Sequence, residues 1–195
     1  MSTSRADRFT AIYTAHYDEV VRFASRRTDP ARAEDVAADA FTVAWRRLDD
    51  IPHRPGEALP WLYAVARNCL LNAHRASGRQ DALAVRLGES LGAAATTHRA
   101  FDSDIAGRLD LAAAWRRLAP AEQEVLGLAL FEDLPSPQAA RVLGISAPAH
   151  RLRMSRARRS LRRHLDPAVE PASDATVGRT AAPTPATPTF QENSR

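Results

Sequence analysis

Seven arginines and no carboxylate stand between Gly144 and Leu165, in the stretch "GISAPAHRLRMSRARRSLRRHL". A guanidinium is a planar fork that donates two parallel hydrogen bonds, so it fits a phosphate group or the edge of a guanine. That much unneutralised charge calls for a polyanion nearby. A second group is acidic: Glu34, Asp35 and Asp39 in "AEDVAADAFTVAWRRL" lie on the outer side of a helix and offer carboxylates to a basic partner. A third group is Asn68, Asn72 and Arg75, whose steps of four and three put two amides and a cation on one helical face. Amides of that kind pair with base edges, and the cation holds a backbone phosphate.

Each group also has a plainer reading. An arginine-rich helix can be a solvated face, an acidic-lipid binder or an RNA-binding surface. Carboxylates in a first turn complement the helix dipole and keep the helix soluble. Trp61 and Tyr63 offer rings for stacking on a base, yet Trp61 falls in an apolar stripe and suits core packing. Catalysis finds little support. The histidines at 16, 53, 74, 98, 150 and 164 have no paired metal-ligand spacing, no Gly-rich phosphate loop precedes a helix, and no nucleophile stands with a positioned base. The expectation is a protein that is not an enzyme and uses no metal or cofactor. Cys69, the lone cysteine, reads as a small buried side chain in a helical apolar pattern.

The elements that must carry these groups are helical. With 195 residues, 45% of them hydrophobic, the chain can bury one moderate core or two small ones. Net charge is only +4, and every one of the 27 basic residues is arginine. A GC-rich genome explains arginine in place of lysine but not the crowding of arginines into one acid-free segment. No apolar run approaches membrane-spanning length, and "MSTSRADRF" lacks the apolar centre of a signal peptide, which leads to the expectation of a soluble cytoplasmic protein without membrane insertion.

Phe9, Ile12, Tyr13, His16, Val20, Val21 and Ala24 form one apolar stripe. After a turn at Asp29 and Pro30, a second helix faces Val36, Ala40, Phe41, Ala44, Trp45 and Leu48 inward. "DDIPHRPGEALP" breaks the pattern, and Pro60 then opens a third helix with Trp61, Leu62, Val65, Ala66, Cys69, Leu70 and Ala73 inside. A first module thus covers residues 1–80, and glycines and small polar residues mark 81–107 as a linker. In the second module, 108–165, Leu109, Ala113, Leu118, Val125, Leu126, Ala129 and Leu130 predict two helices interrupted at Pro120. Ser136 with Pro137 starts a short helix ending at Gly144, and Ser146 caps the last helix with Pro148 in its first turn. Residues 166–195, dominated by Pro, Ala and Thr, predict a disordered tail. Short helix, glycine turn and basic helix make a helix-turn-helix whose second member would enter a DNA major groove. His150, Met154, Ala157 and Leu161 would pack inward, leaving Arg151, Leu152, Arg153, Arg156, Arg158 and Arg159 mostly outward.

Three stretches in order carry a resemblance to the extracytoplasmic-function sigma factors, the compact two-domain group of the sigma-70 family. Residues 33–48 resemble the family's acidic helix, "LPWLYAVARNCLLNAHR" at 59–75 resembles its −10-reading helix, and residues 118–161 resemble its −35-binding domain. The resemblance implies an all-α fold of two small helical domains and promoter-directed initiation on RNA polymerase core, through its beta-prime and beta subunits. It places Glu34, Asp35, Asp39 and Trp45 against the polymerase, and Trp61, Asn68, Asn72 and Arg75 on the −10 element. It places Ser146, Ala149, Arg151, Leu152, Arg153 and Arg156 on the −35 element, and makes "IPHRPGEAL" the place where a flipped base is held. An anti-sigma factor is a further implied partner. The chain departs from the family pattern at Ala38, where glutamine is usual, at Asn72, more often aspartate, at Ala149, commonly threonine, and at His150, commonly aliphatic. The runner-up is a stand-alone helix-turn-helix regulator, which would use the basic helix alone.

Overall fold

The computed structural model describes residues 4–76, 85 and 103–166. Among them the secondary structure is helical, with no strand. The predicted tail beyond Asp166 and most of the predicted linker lie outside the described residues.

Helix α1 (Arg5–Ser25) starts at a capping box: the Ser4 hydroxyl accepts from the Asp7 amide at 3.0 Å, and the Asp7 carboxylate accepts from the Ser4 amide at 3.2 Å. Asp29 caps α2 (Pro30–Arg46) by accepting from the Arg32 amide, with Pro30 at the first position, where no intrahelical donor is needed. α3 (Ala58–Ala76) begins two residues before the expected Pro60, which costs nothing because a first-turn proline removes no intrahelical bond. The break before it contains a short 3-10 turn, Leu48–Asp50.

These three helices pack around Val20, Phe23, Phe41, Leu48, Leu62 and Leu70. Ala33, Ala37, Ala40 and Ala44 are fully buried at steps of four, three and four, so α2 presents a smooth face to its neighbours. Phe23 stacks on Tyr63 with ring centroids 4.7 Å apart, and burying a side chain of that size contributes about 2 kcal/mol. Three residues expected inside are not, one of them Ala73, exposed near the end of α3. Tyr13 is 39% exposed and Trp45 41%, because both sit where the stripes of α1 and α2 diverge and cover each other through Phe9 and Phe41.

The second module has α4 (Ser103–Arg116), α5 (Pro120–Leu130), α6 (Ser136–Leu143) and α7 (Ala147–Leu165). Trp115 sets the register of α4: it is buried and donates through Nε1 to the Val85 carbonyl at 2.7 Å. Leu109, six residues earlier, therefore points about a third of a turn away and is 66% exposed; Leu130, at the end of α5, is 62% exposed and Ala113 is exposed, although the two helices with a break before Pro120 are those the apolar pattern predicts. α6 starts at Ser136 itself, with Pro135 as the capping residue and no side-chain cap, one position earlier than expected. Gly144 ends it at φ +66°, and the amides of Gly144 and Ile145 turn back onto α6 carbonyls. Ser146 caps α7 as expected, its hydroxyl accepting from the Ala149 amide. His150, Met154 and Ala157 are buried, joined by Ser160, while Leu161 is only half-buried.

The modules are packed together, α3 against α6, a contact that no pattern in the sequence signals. Glu132, from the loop after α5, is fully buried between Arg26 and Arg27 at the end of α1, 3.3 and 3.1 Å from their guanidinium nitrogens. Arg67 of α3 grips Glu124 of α5 through two hydrogen bonds of 2.6 and 3.0 Å. Glu57 accepts from both Gln138 and Arg141 of α6.

Candidate nucleic-acid and partner interfaces

α7 owes its direction to the Gly144 turn and its rotation to the buried His150, Met154 and Ala157. Its outward arginines stay unneutralised: Arg151, Arg153, Arg156, Arg158 and Arg159 are exposed, and none pairs with a carboxylate among the described residues. At about 100° per residue they divide into two surfaces. Ser146, Ala149, Leu152, Arg153 and Arg156 share one side, Ser146 and Leu152 exposed and Ala149 partly so. Arg151 belongs to the other, where it joins Arg158, Arg159 and Arg162 around a recess of about 630 Å³ that reaches Ser136 at the start of α6. Sequence reading gave no site role to Ser136, Arg158, Arg159 and Arg162. The signal was present in the steps of four, three and four that align Arg151, Ser155, Arg158 and Arg162.

His150 lines that recess from below and is 1% exposed, and neither ring nitrogen has a hydrogen-bond partner. Burial pushes its pKa below the ordinary imidazole range, and the Arg151 charge pushes the same way. The ring is therefore neutral at pH 7 and fills a core position.

On α3, Asn68, Asn72 and Arg75 are all exposed, as their spacing predicted. Arg75 donates to the Asn72 carbonyl oxygen and to the Leu71 carbonyl, so the Asn72 oxygen is engaged while its N–H groups have no partner among the described residues. Trp61 lies two turns earlier, half-buried, with the Arg47 guanidinium 6.0 Å from its ring centroid. It lines a small cavity with Glu57, Pro60 and Arg141 at the module junction. Asn68, Asn72 and Arg75 share one exposed face of α3, and Trp61, at nearly the same angle around the helix but two turns before Asn68, lines the junction cavity.

Glu34, Asp35 and Asp39 are exposed on α2 and unpaired among the described residues. Asp39 shares a groove of about 520 Å³ with Arg46, Cys69 and Asn72, so the acidic surface adjoins the α3 face. Arg46, in that groove, is another residue the sequence reading passed over. Burial and then the nearby Asp39 push the Cys69 thiol up, keeping it protonated. Trp45 flanks a second groove, about 360 Å³, with Phe9, Tyr13, Tyr17, Phe41 and Ala38. Where glutamine is usual, the methyl of Ala38 leaves that groove open.

Two modules with these surfaces match two family models: "Sigma-70 region 2" over residues 12–80 and "Sigma-70, region 4" over 108–161. The RNA polymerase sigma factor CnrH of Cupriavidus metallidurans is 34% identical over 68% of this chain and 73% of its own length. The chain belongs to the sigma-70 family, in the extracytoplasmic-function group. A probable RNA polymerase sigma factor, RfaY of Xanthomonas campestris pv. campestris, is 34% identical over 79% of the chain, which spans only 39% of that protein. The fold matches the sigma factor RpoE of Bartonella quintana, solved with the anti-sigma factor NepR, at TM-score 0.57 and 20% identity over 80% of this chain and 96% of that one. Among the described residues, no helix of this sigma factor is long and apolar enough to cross a membrane.

Proposed function

We propose that the chain binds RNA polymerase core and directs it to promoters, with α2 on the polymerase, α3 on the −10 element and α7 on the −35 element. The observation that carries the reading is the pairing, in one chain of this family, of an unpaired carboxylate surface on α2 with an unpaired arginine surface on α7. Like charges keep the first off DNA phosphates, and opposite charges draw the second to them. Asn68 and Asn72 offer amides to base edges, and Arg75 supplies charge beside them. Ser146, Ala149, Leu152, Arg153 and Arg156 form the base-reading side of α7, and Arg151 works from the recess side on phosphate. The module boundaries near residues 80 and 108 and a cytoplasmic location belong to this reading. So does an anti-sigma partner, which the NepR complex of the RpoE relative supports.

Transcription of fragmented source-genome DNA by core polymerase, with and without the protein, tests it. The expected result is a new set of start sites sharing two upstream elements. Start sites identical to those of core alone would overturn it. A stand-alone regulator would instead bind DNA tightly without polymerase.

A further inference from the structure

Charge along the chain changes sign where α7 ends. Residues 144–165 hold seven arginines and no carboxylate, whereas residues 166–178, "DPAVEPASDATVG", hold three carboxylates and no basic residue. Asp166, Glu170 and Asp174 recur at every fourth position, in the near-repeats "DPAV", "EPAS" and "DATV". With proline at 167 and 171 the stretch reads as extended chain rather than helix, which spaces successive carboxylates by about 12 Å.

The surface that complements it is the recess of about 630 Å³ beside α7. Arg151, Arg158, Arg159 and Arg162 line it and no carboxylate does. Arg151, Arg158 and Arg159 have no carboxylate partner among the described residues. The recess also presents Leu134, Pro135 and Met154, apolar groups that suit the prolines and valines between the carboxylates.

The lengths agree. Arg151 lies about 21 Å from the end of α7 at Leu165 and Arg158 about 10 Å. An extended chain leaving Leu165 reaches about 15 Å at Glu170 and about 28 Å at Asp174. Doubled back along α7, the segment therefore covers the recess from Arg162 to Arg151. Joined to the helix it neutralises, it acts at a local concentration on the order of millimolar, so a weak contact is effective. Such a contact asks for no fixed fold, in keeping with the disordered tail that composition predicts.

We propose that the acidic segment 166–178 lies across the arginine recess of α7 and competes there with DNA phosphate. The inference rests on the DNA-binding reading of α7. Random DNA, which offers phosphates alone, is then held weakly, while promoter DNA adds base contacts and displaces the segment. Each carboxylate released as a phosphate takes its arginine offsets part of the salt dependence of binding.

The first arm of the test involves no DNA. A paramagnetic label on Ser173→Cys, in a Cys69→Ala background, should broaden the amide signals of Ser136, Arg151 and Ser155 in low salt, and about 0.5 M salt should restore them. Absence of broadening, or broadening that salt leaves unchanged, overturns the inference. In the second arm, fluorescence anisotropy follows binding to a mixed-sequence duplex of about 20 base pairs. Glu170→Gln with Asp174→Asn should tighten binding at least about fivefold at about 50 mM salt and steepen the salt slope by up to about two units. Asp18→Asn with Asp110→Asn, an equal change of net charge at exposed positions of α1 and α4, should change affinity less than about twofold. An equal gain from both pairs, or none from the tail pair, overturns the inference. Broadening as expected, with no form of the protein binding DNA, overturns the DNA-binding reading instead.

Discussion

Arginine and histidine on α7 do opposite things with charge. Arg153 lies on the side proposed to read bases and Arg151 beside the recess, so their removal should not look alike. Arg153→Ala should cost about 1 to 3 kcal/mol on its own −35 sequence and relax discrimination at one position. Arg151→Ala should weaken binding evenly across sequences and lower the salt slope by roughly one unit. Titrations over a salt series with matched and mutated −35 duplexes separate them, and unchanged affinity for both variants would remove α7 from the site. His150 carries a pH consequence. Its folded pKa is depressed, so on descending through about pH 6.5 the unfolded chain takes up a proton that the buried ring refuses, and stability falls until the folded ring also titrates. Melting temperatures between about pH 7.5 and about 5.5 should drop more in the parent than in His150→Leu. Parallel curves would assign the acid sensitivity elsewhere.

The elements were largely legible because their punctuation is local. Asp29 with Pro30, Ser146 with Pro148 and Gly144 each state a boundary through one hydrogen bond or one backbone angle, and the structure uses all three. Gly144→Ala should therefore destabilise the second module by about 1 kcal/mol from backbone strain alone, since a Cβ there meets nothing within 4 Å. Urea denaturation measures this, and an unchanged midpoint would mean the turn relaxes. What stayed hidden depends on partners remote in sequence. Leu109 and Leu130 fit an apolar period, but Trp115 and its bond to Val85 choose the face of α4. Trp45 fits the α2 stripe, yet it lies at the edge of an open groove, with Phe9 against its ring and the Arg5 guanidinium 5.4 Å from its centroid.

At the scale of the molecule, the sequence separates two modules and says nothing of how they meet. Glu57, Arg67, Glu124 and Glu132 look like ordinary surface charges until α3 and α6 are brought together, and Glu132 then has no exposed side-chain surface. The three candidate surfaces were nonetheless readable, because exposed polar residues at helical spacing need no tertiary partner to stay together. Their division of labour makes the acidic surface separable from the DNA-binding ones. Asp35 and Asp39 are exposed and unpaired among the described residues, so replacing both with arginine should leave helicity and melting temperature nearly unchanged. Against a basic partner, the same change turns attraction into like-charge repulsion worth several kcal/mol. Gel filtration with core polymerase reads this directly and requires no knowledge of the promoter. The parent protein should co-elute with core, and the Asp35→Arg, Asp39→Arg variant should elute alone while remaining folded. A parent that elutes apart from core, or a double variant that still travels with it, would contradict the account.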